Sequence, residues 1–248
     1  MRLGKEMIGE LELNRIYQRD CIEGMRLIPD KSIDLIVTDP PYLMNYRSNR
    51  RVKNEKFKHI ANDINAHNLI SEYLSECNRV LKDNTAIYVF CSWHNIDFFK
   101  TEFEKHFKLK NVIVWNKNNH GSGDLKGAYA PKHEFILYGH KGRSLFRSKR
   151  IPDVIDCAKI PSAKLTHPTE KPTDLLKIFI DNNSDENDIV LDGFSGTGST
   201  LVSSAQLNRN FIGFELDSDY VKIANQRLEN VYDELAEQEL TKEAPHDE

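Results

Sequence analysis

The chain has 248 residues, enough for one α/β domain with a sizeable core and no need of disulfide or metal staples. Apolar residues make up 39% and charged residues 29%, and the longest apolar run, Ala86 to Cys91, is far short of the ~20 residues of a membrane span. The N-terminal MRLGKEMIGE carries charge within any apolar stretch, unlike a secretory leader, and Cys21, Cys77, Cys91 and Cys157 form no CxxC pair. These features fit buried thiols in a reducing cytosol, and they place the chain in the cytoplasm with no membrane partner.

The net charge of −4 conceals an asymmetry, because residues 229–248 hold eight acids and one base. The other 228 residues therefore sum to −4 − (−7) = +3. Residues 46–59 carry six bases against Glu55, and residues 140–150 carry five bases and no acid. Such runs are solvated surface as readily as a phosphate-tracking footprint.

In chain order, Ile33–Val37 reads as a buried strand that runs directly into Asp39-Pro40-Pro41-Tyr42. The polar, basic stretch 43–66 follows. Leu69, Ile70, Tyr73, Leu74, Cys77, Val80 and Leu81 repeat at helical spacing. Ala86–Phe90 reads as a strand, Phe98 to Phe107 as a helix, and Val112–Trp115 and Phe135–Tyr138 as two more strands. Between the last two lie three glycines and three asparagines, over residues 116–131. Residues 141–166 read as basic and irregular. Leu175–Ile180 is a helix, Ile189–Leu191 a strand, Ser199-Thr200 a helix start, Phe211–Phe214 a strand and Tyr220–Leu228 a helix. The tail LENVYDELAEQEL reads as a helix that frays into an acidic end. Strands with near-continuous apolar runs, alternating with helices, imply a doubly wound, mostly parallel sheet with helices on both faces.

Residues 189–200, IVLDGFSGTGST, place a small-residue loop between a strand and a helix. Ligands of open α/β sheets bind outside the carboxyl ends of the strands. Glycines there let backbone N–H groups approach a ligand. The spacing is neither GxGxxG nor GxxxxGK[ST], which argues against a dinucleotide or a nucleoside triphosphate. Glu215 ends the next strand, 23 residues after Asp192, where an acid can accept both hydroxyls of a ribose. The pattern suits a nucleoside without a pyrophosphate; the alternative is a tight turn with a surface acid.

Two prolines stiffen DPPY and remove two N–H donors. Asp39 and the Pro40 carbonyl are acceptors beside the Tyr42 ring, which suits the exocyclic amine of a flat base. An ordinary proline turn is the alternative. His133, His167 and Cys157 fit no zinc spacing, so no metal is expected.

These motifs carry a resemblance. DPPY resembles the catalytic motif of amino-directed DNA methyltransferases, DGFSGTGS their S-adenosylmethionine loop, and GFELDSDYVKIANQRL their second-strand motif. HPTEKP, RDCIEGMRLIPDKSIDLIVTDPPY and PKHEFILYGHKG resemble three further family segments, so the likeness spans residues 16–231. DPPY ahead of the glycine loop resembles the order of the β group. The resemblance implies a single methyltransferase domain over 1–248 with a seven-stranded, Rossmann-like class I sheet. It implies Asp39, Pro40, Pro41 and Tyr42 as catalytic residues. It places the cofactor on Asp20, Cys21, His167, Thr169, Lys171, Asp192, Phe194, Ser195, Gly196, Thr197, Gly198, Ser199, Glu215 and Leu216, with Asp20 at the adenine.

The family's aspartate-proline pair is Asp192-Gly193 here, a slightly looser turn. Within this reading residues 43–66 form a mobile DNA-facing loop, 141–166 a short target-recognition segment and 233–248 an acidic tail. Arg47, Arg50, Arg51, Lys53, Arg143, Arg147, Lys149 and Arg150 would contact DNA phosphates. The implied reaction is site-specific methylation of adenine N6 in DNA after the base is flipped out, in a bacterial or phage-encoded enzyme. Double-stranded DNA is the expected partner, with single-stranded DNA, a homodimer and a cognate restriction enzyme as further candidates. The alternatives are cytosine-N4 methylation, RNA or protein-glutamine methylation, and a non-catalytic nucleic-acid binder on the same fold.

Overall fold

The computed structural model describes residues 6–41, 63–120, 126–160 and 170–243. Strands β1 (Met7–Ile8) and β2 (Leu11–Glu12) make a small antiparallel ribbon. Then come β3 (Arg15–Gln18), α1 (Cys21–Met25), β4 (Ile33–Thr38), α2 (Asp63–Val80), β5 (Leu81–Cys91) and α3 (Ile96–Glu104). The chain continues through β6 (Lys108–Asn116), β7 (His133–Lys141), β8 (Val154–Asp156), α4 (Thr173–Asn183) and β9 (Ile189–Asp192). It closes with α5 (Ser199–Gln206), β10 (Asn210–Glu215) and α6 (Ser218–Glu243).

Among the described residues the main sheet has eight strands, in the order β3-β10-β9-β4-β5-β7-β6-β8. All neighbours are parallel except β7, which runs antiparallel to both β5 and β6. The doubly wound α/β architecture is as the sequence implied. Seven strands were expected, and β8 is an eighth. It lies inside the stretch 141–166 that reads as irregular, because three residues with one buried side chain leave no apolar run. Residues 63–66, read as the end of a basic loop, begin α2.

The alternating sides of each strand feed separate cores. Ile36, Ile87 and Leu191 face α1, α2 and α3, where they meet Met25, Tyr73, Leu74, Cys77, Phe99 and Phe103. Leu35, Val37, Tyr88, Phe90 and Val190 face α4 and meet Leu175, Leu176, Phe179 and Ile180. Helices α5 and α6 close a third cluster with Leu201, Val202, Phe211, Ala224 and Leu228. The acidic end continues helical to Glu243, with Val231 buried at its root and Leu240 exposed. Cys21, Cys77 and Cys91 are buried free thiols, and Cys157 is partly buried. No helix among the described residues is long and apolar enough to cross a membrane.

The α4 face is organised by stacked rings. Phe179 stacks on Tyr88 at 4.6 Å, and Tyr88 stacks on Tyr138 at 4.7 Å between centroids. Phe179→Ala is expected to cost about 3–5 kcal/mol, the range for emptying a buried aromatic site. Urea denaturation of the variant against the parent measures this.

Candidate active site

The parallel strands β3, β10, β9, β4 and β5 all end at one edge. Leu35 pairs with Val190 and Ile36 with Leu191, so Asp39 leaves β4 beside the loop that leaves β9. Strand order runs outward from β9 to β10 and β3, and from β4 to β5 in the other direction. Connections that diverge in this way leave a crevice at the carboxyl ends. A cavity of about 580 Å³ lies there, within the ordinary range for small-molecule sites.

Asp39, Pro41, Asp20, Cys21, Lys171, Asp192, Phe194, Ser195, Gly196, Thr197, Ser199, Glu215 and Leu216 all line this cavity. Pro40 and Gly198 stand outside its wall. Gly198 instead has φ +80°, and a Cβ there would come within 2.8 Å of the Ala224 Cβ. Its role is to let the loop turn against α6. Tyr42, His167 and Thr169 lie outside the described residues.

The glycine loop is pinned by its own backbone. Phe194 N–H donates to Asp192 Oδ1 at 3.1 Å, and Ser195 N–H donates to the Phe214 carbonyl at 2.9 Å. Glu215 accepts the Gly196 N–H at 2.9 Å through Oε2 and the Asp217 N–H at 2.8 Å through Oε1. A carboxylate offers about four acceptor positions, so Glu215 keeps capacity for a diol. At Gly196 (φ +50°) a Cβ would meet nothing within 4 Å, so the loop is open toward the cavity. Asp20 caps α1, with Oδ1 accepting the Ile22 N–H at 2.9 Å. Burial pushes the Asp192 carboxyl up to about 6. Arg227 of α6 donates to the Thr197 carbonyl at 2.8 Å and pairs with Glu170 at 2.9 Å, so it ties the loop to the segment before α4. Nothing in the motif pattern singled out Arg227.

Gly193 does more than loosen a turn. A Cβ at Gly193 would lie 2.4 Å from the ring of buried Tyr73, and the Gly193 N–H donates to the Tyr73 hydroxyl at 3.2 Å. A proline there would lack that donor. The same hydroxyl donates to Thr38 Oγ1 at 3.0 Å, one residue before Asp39. Tyr73 thus joins the glycine loop to the strand end that carries Asp39. Helical spacing marked Tyr73 only as core.

Asp39 sits at the end of a chain of alternating charges. Lys171 Nζ donates to Asp39 Oδ2 at 2.5 Å and lies 3.2 Å from Glu134 Oε2. Glu134 also accepts from Lys117. Lys171 is buried, and its ammonium lies 5.1 Å from the centre of the Phe90 ring. Burial works against its charge, but the Asp39 and Glu134 carboxylates outweigh it and hold its pKa above the usual lysine range. Burial opposes the Glu134 charge as well, yet Lys171 and Lys117 hold that carboxyl down at about 2. Lys171, expected on the cofactor, lines the cavity, and its ammonium reaches the Asp39 carboxylate. Lys117 lies outside every quoted motif, and Glu134 lies within PKHEFILYGHKG with no role read for it.

Arg47, Arg50, Arg51 and Lys53 lie outside the described residues. Arg143 and Arg147 are at the opposite end of the sheet from the cavity. The reason is topological: β7 is antiparallel, so Phe135 pairs with Cys91 at the site edge and Lys141 pairs with Thr85 at the far edge. Six residues of strand span about 20 Å. There the Arg143 N–H donates to Asn84 and Arg147 pairs with Asp185 at 3.0 Å. Lys149 is exposed, and Arg150 lines a second cavity of about 390 Å³ on the α4 face. Arg143, Arg147, Lys149 and Arg150, read as phosphate contacts, therefore stand away from the cavity edge that carries Asp39.

Two outcomes are expected. Tyr73→Phe leaves the buried Gly193 N–H without its acceptor, which costs about 1–3 kcal/mol of stability in urea denaturation. Glu134→Gln tests the buried charges through pH. The native Glu134 carboxyl lies below its unfolded value, so its contribution is present above about 4.5 and fades as pH falls toward about 2. The melting-temperature gap between parent and variant is therefore widest near neutral pH and narrows on acidification.

A family model for DNA methylases, the N6/N4 type, matches residues 33–226. The chain is 32% identical over 256 residues to the type II methyltransferase M.HinfI of Haemophilus influenzae, covering 92% of this chain and 71% of that one. It is 28% identical over 239 residues to the type II methyltransferase M2.MboI of Moraxella bovis, covering 87% and 88%. The crystal structure of the M1.HpyAVI–SAM complex superposes with a TM-score of 0.66 at 26% identity, covering 86% of this chain and 98% of that one. A family match over most of the chain, the cavity between two diverging halves of the sheet and the aspartate-proline-proline exit together decide the assignment. This chain belongs to the N6/N4 DNA methylase family, which methylates DNA with S-adenosylmethionine as cofactor.

Proposed function

We propose that this protein methylates the exocyclic N6 of an adenine that has been flipped out of DNA. The observation that carries the reading is Asp39, a carboxylate held at the strand exit, in the same cavity as the glycine loop. The cavity suits the cofactor on its own chemistry. It has an open glycine face at Gly196, an acid at Glu215 with acceptor capacity for a ribose, and Asp20 at the outer strand end. When bound, S-adenosylmethionine supplies an electrophilic methyl group.

The chain's own residues supply orientation. The lone pair of an exocyclic amine is delocalised into its ring, so the nitrogen is a poor nucleophile. Asp39 and the Pro40 carbonyl accept its two hydrogens and draw the nitrogen toward a tetrahedral lone pair. Asp39 also stabilises the positive charge that develops there. Proton loss follows methyl transfer, so a strong base is not required beforehand. Flipping costs a few kcal/mol, and stacking on Tyr42 returns about 1–3 kcal/mol. The basic residues Arg47, Arg50, Arg51 and Lys53 follow Tyr42 closely in the chain and supply phosphate contacts.

Adenine is favoured over cytosine because position 39 is aspartate. In this group DPPY usually accompanies adenine N6, and serine at that position usually accompanies cytosine N4.

Asp39→Ala is expected to lower turnover by about 10²–10³-fold, by analogy with removal of a preorganised electrostatic partner. Calorimetric affinity for S-adenosylmethionine should stay at the parent value. A duplex with purine in place of the target adenine should bind but accept no methyl group. Parent-like turnover in Asp39→Ala, with the fold confirmed by circular dichroism, would refute the assignment.

A further inference from the structure

Lys171 presents a problem for the chemistry just described. Its ammonium sits 2.5 Å from the carboxylate that orients the amine, inside the protein. A cation there fixes the carboxylate, but alone it would repel the positive charge that develops on the attacked nitrogen. The structure contains the remedy. Glu134, from the start of β7, lies 3.2 Å from the same ammonium, and Lys117, just beyond β6, donates to Glu134 in turn. Trp115 and Glu134 are register partners on adjacent strands, and Lys117 Nζ lies 4.9 Å from the Trp115 ring centre. The order Lys117, Glu134, Lys171, Asp39 alternates in sign and sums to zero.

Two charges buried together are held only when each is well paired. Here each inner member touches an opposite charge on both sides. Among the described residues, Asp192 from β9 and Cys91 from β5 also face this array, and Glu170 before α4 lines the same cavity. Burial keeps the Cys91 thiol up at about 12, so it stays neutral, and Glu170 is paired with Arg227.

We propose that Lys171 is a positioning residue for methyl transfer, holding the Asp39 carboxylate in place while Glu134 cancels the Lys171 charge at the reacting nitrogen. This rests on the reading of Asp39 given above and adds a role distinct from cofactor binding. The array carries no proton and forms no bond; it sets the direction and charge of the acceptor.

The test uses the full-length protein with S-adenosylmethionine and unmethylated genomic DNA. The parent is assayed first, and failure of the parent to methylate a DNA amine overturns the function and not this inference. Lys171→Met is expected to lower kcat roughly 10–100-fold, within the range for electrostatic partners, with calorimetric cofactor affinity unchanged. Lys171→Arg, which keeps the charge, should recover part of the rate.

Glu134→Gln should also lower kcat at unchanged cofactor affinity, because the Lys171 charge is then uncancelled. The double variant should lose less than the product of the two single losses. If Lys171→Met fails to fold, Glu134→Gln carries the test through the same split between kcat and cofactor affinity. A Lys171→Met enzyme with weakened cofactor affinity and parent kcat would make Lys171 a cofactor ligand and overturn the proposal. So would multiplicative losses in the double variant, or a parent kcat in Glu134→Gln.

Discussion

The parallel pairing of β4 with β9 is the constraint on which the rest depends. Strand order diverges from that seam, so no crossover helix covers the carboxyl ends of these two strands. The glycine loop leaves one strand and Asp39 leaves the other, side by side. Elsewhere in the sheet the same two sequences would be ordinary turns. The seam is locked from below by Tyr73, whose hydroxyl bonds to both exits through Thr38 and Gly193. Where a proline would rely on its ring for stiffness, this chain uses a glycine N–H and a buried phenol from α2.

The second organising feature is the handling of buried charge. An isolated ion in a protein interior is costly, and one left without its partner is costlier. Lys171 and Glu134 avoid this by pairing across the mouth of the sheet. Arg227 and Glu170 do the same over the glycine loop. Among the described residues Asp192 pairs with no cation, and burial shifts its carboxyl up to about 6. The paired charges hold geometry, and this buried acid lies at the root of the glycine loop.

Much of this was legible in the residue pattern. Ile33–Val37, Ala86–Phe90 and Ile189–Leu191 are buried on both faces, and their continuous apolar runs announced a parallel interior. DPPY and DGFSGTGS announced their positions because glycine and proline impose backbone conformations that few other residues tolerate. The edge strands β3 and β8 were silent because four and three half-exposed residues carry no periodicity. Glu134 and Lys117 were silent for a different reason. Their roles arise from antiparallel pairing of β6 with β7, a long-range event that local spacing does not encode. The same antiparallel strand carries Arg143 and Arg147 away from the site. Tyr73 and Arg227 were hidden by ordinary helical periodicity, which records that a side chain is buried and not what its polar end touches.

The most direct test is chemical identification of the product. Purified protein is incubated with methyl-labelled S-adenosylmethionine and unmethylated DNA, and the DNA is digested to nucleosides and resolved by mass spectrometry. The account predicts that label appears in N6-methyladenine and in no other nucleoside. Label in N4-methylcytosine, or DNA without label beside methylated RNA or protein, would contradict it.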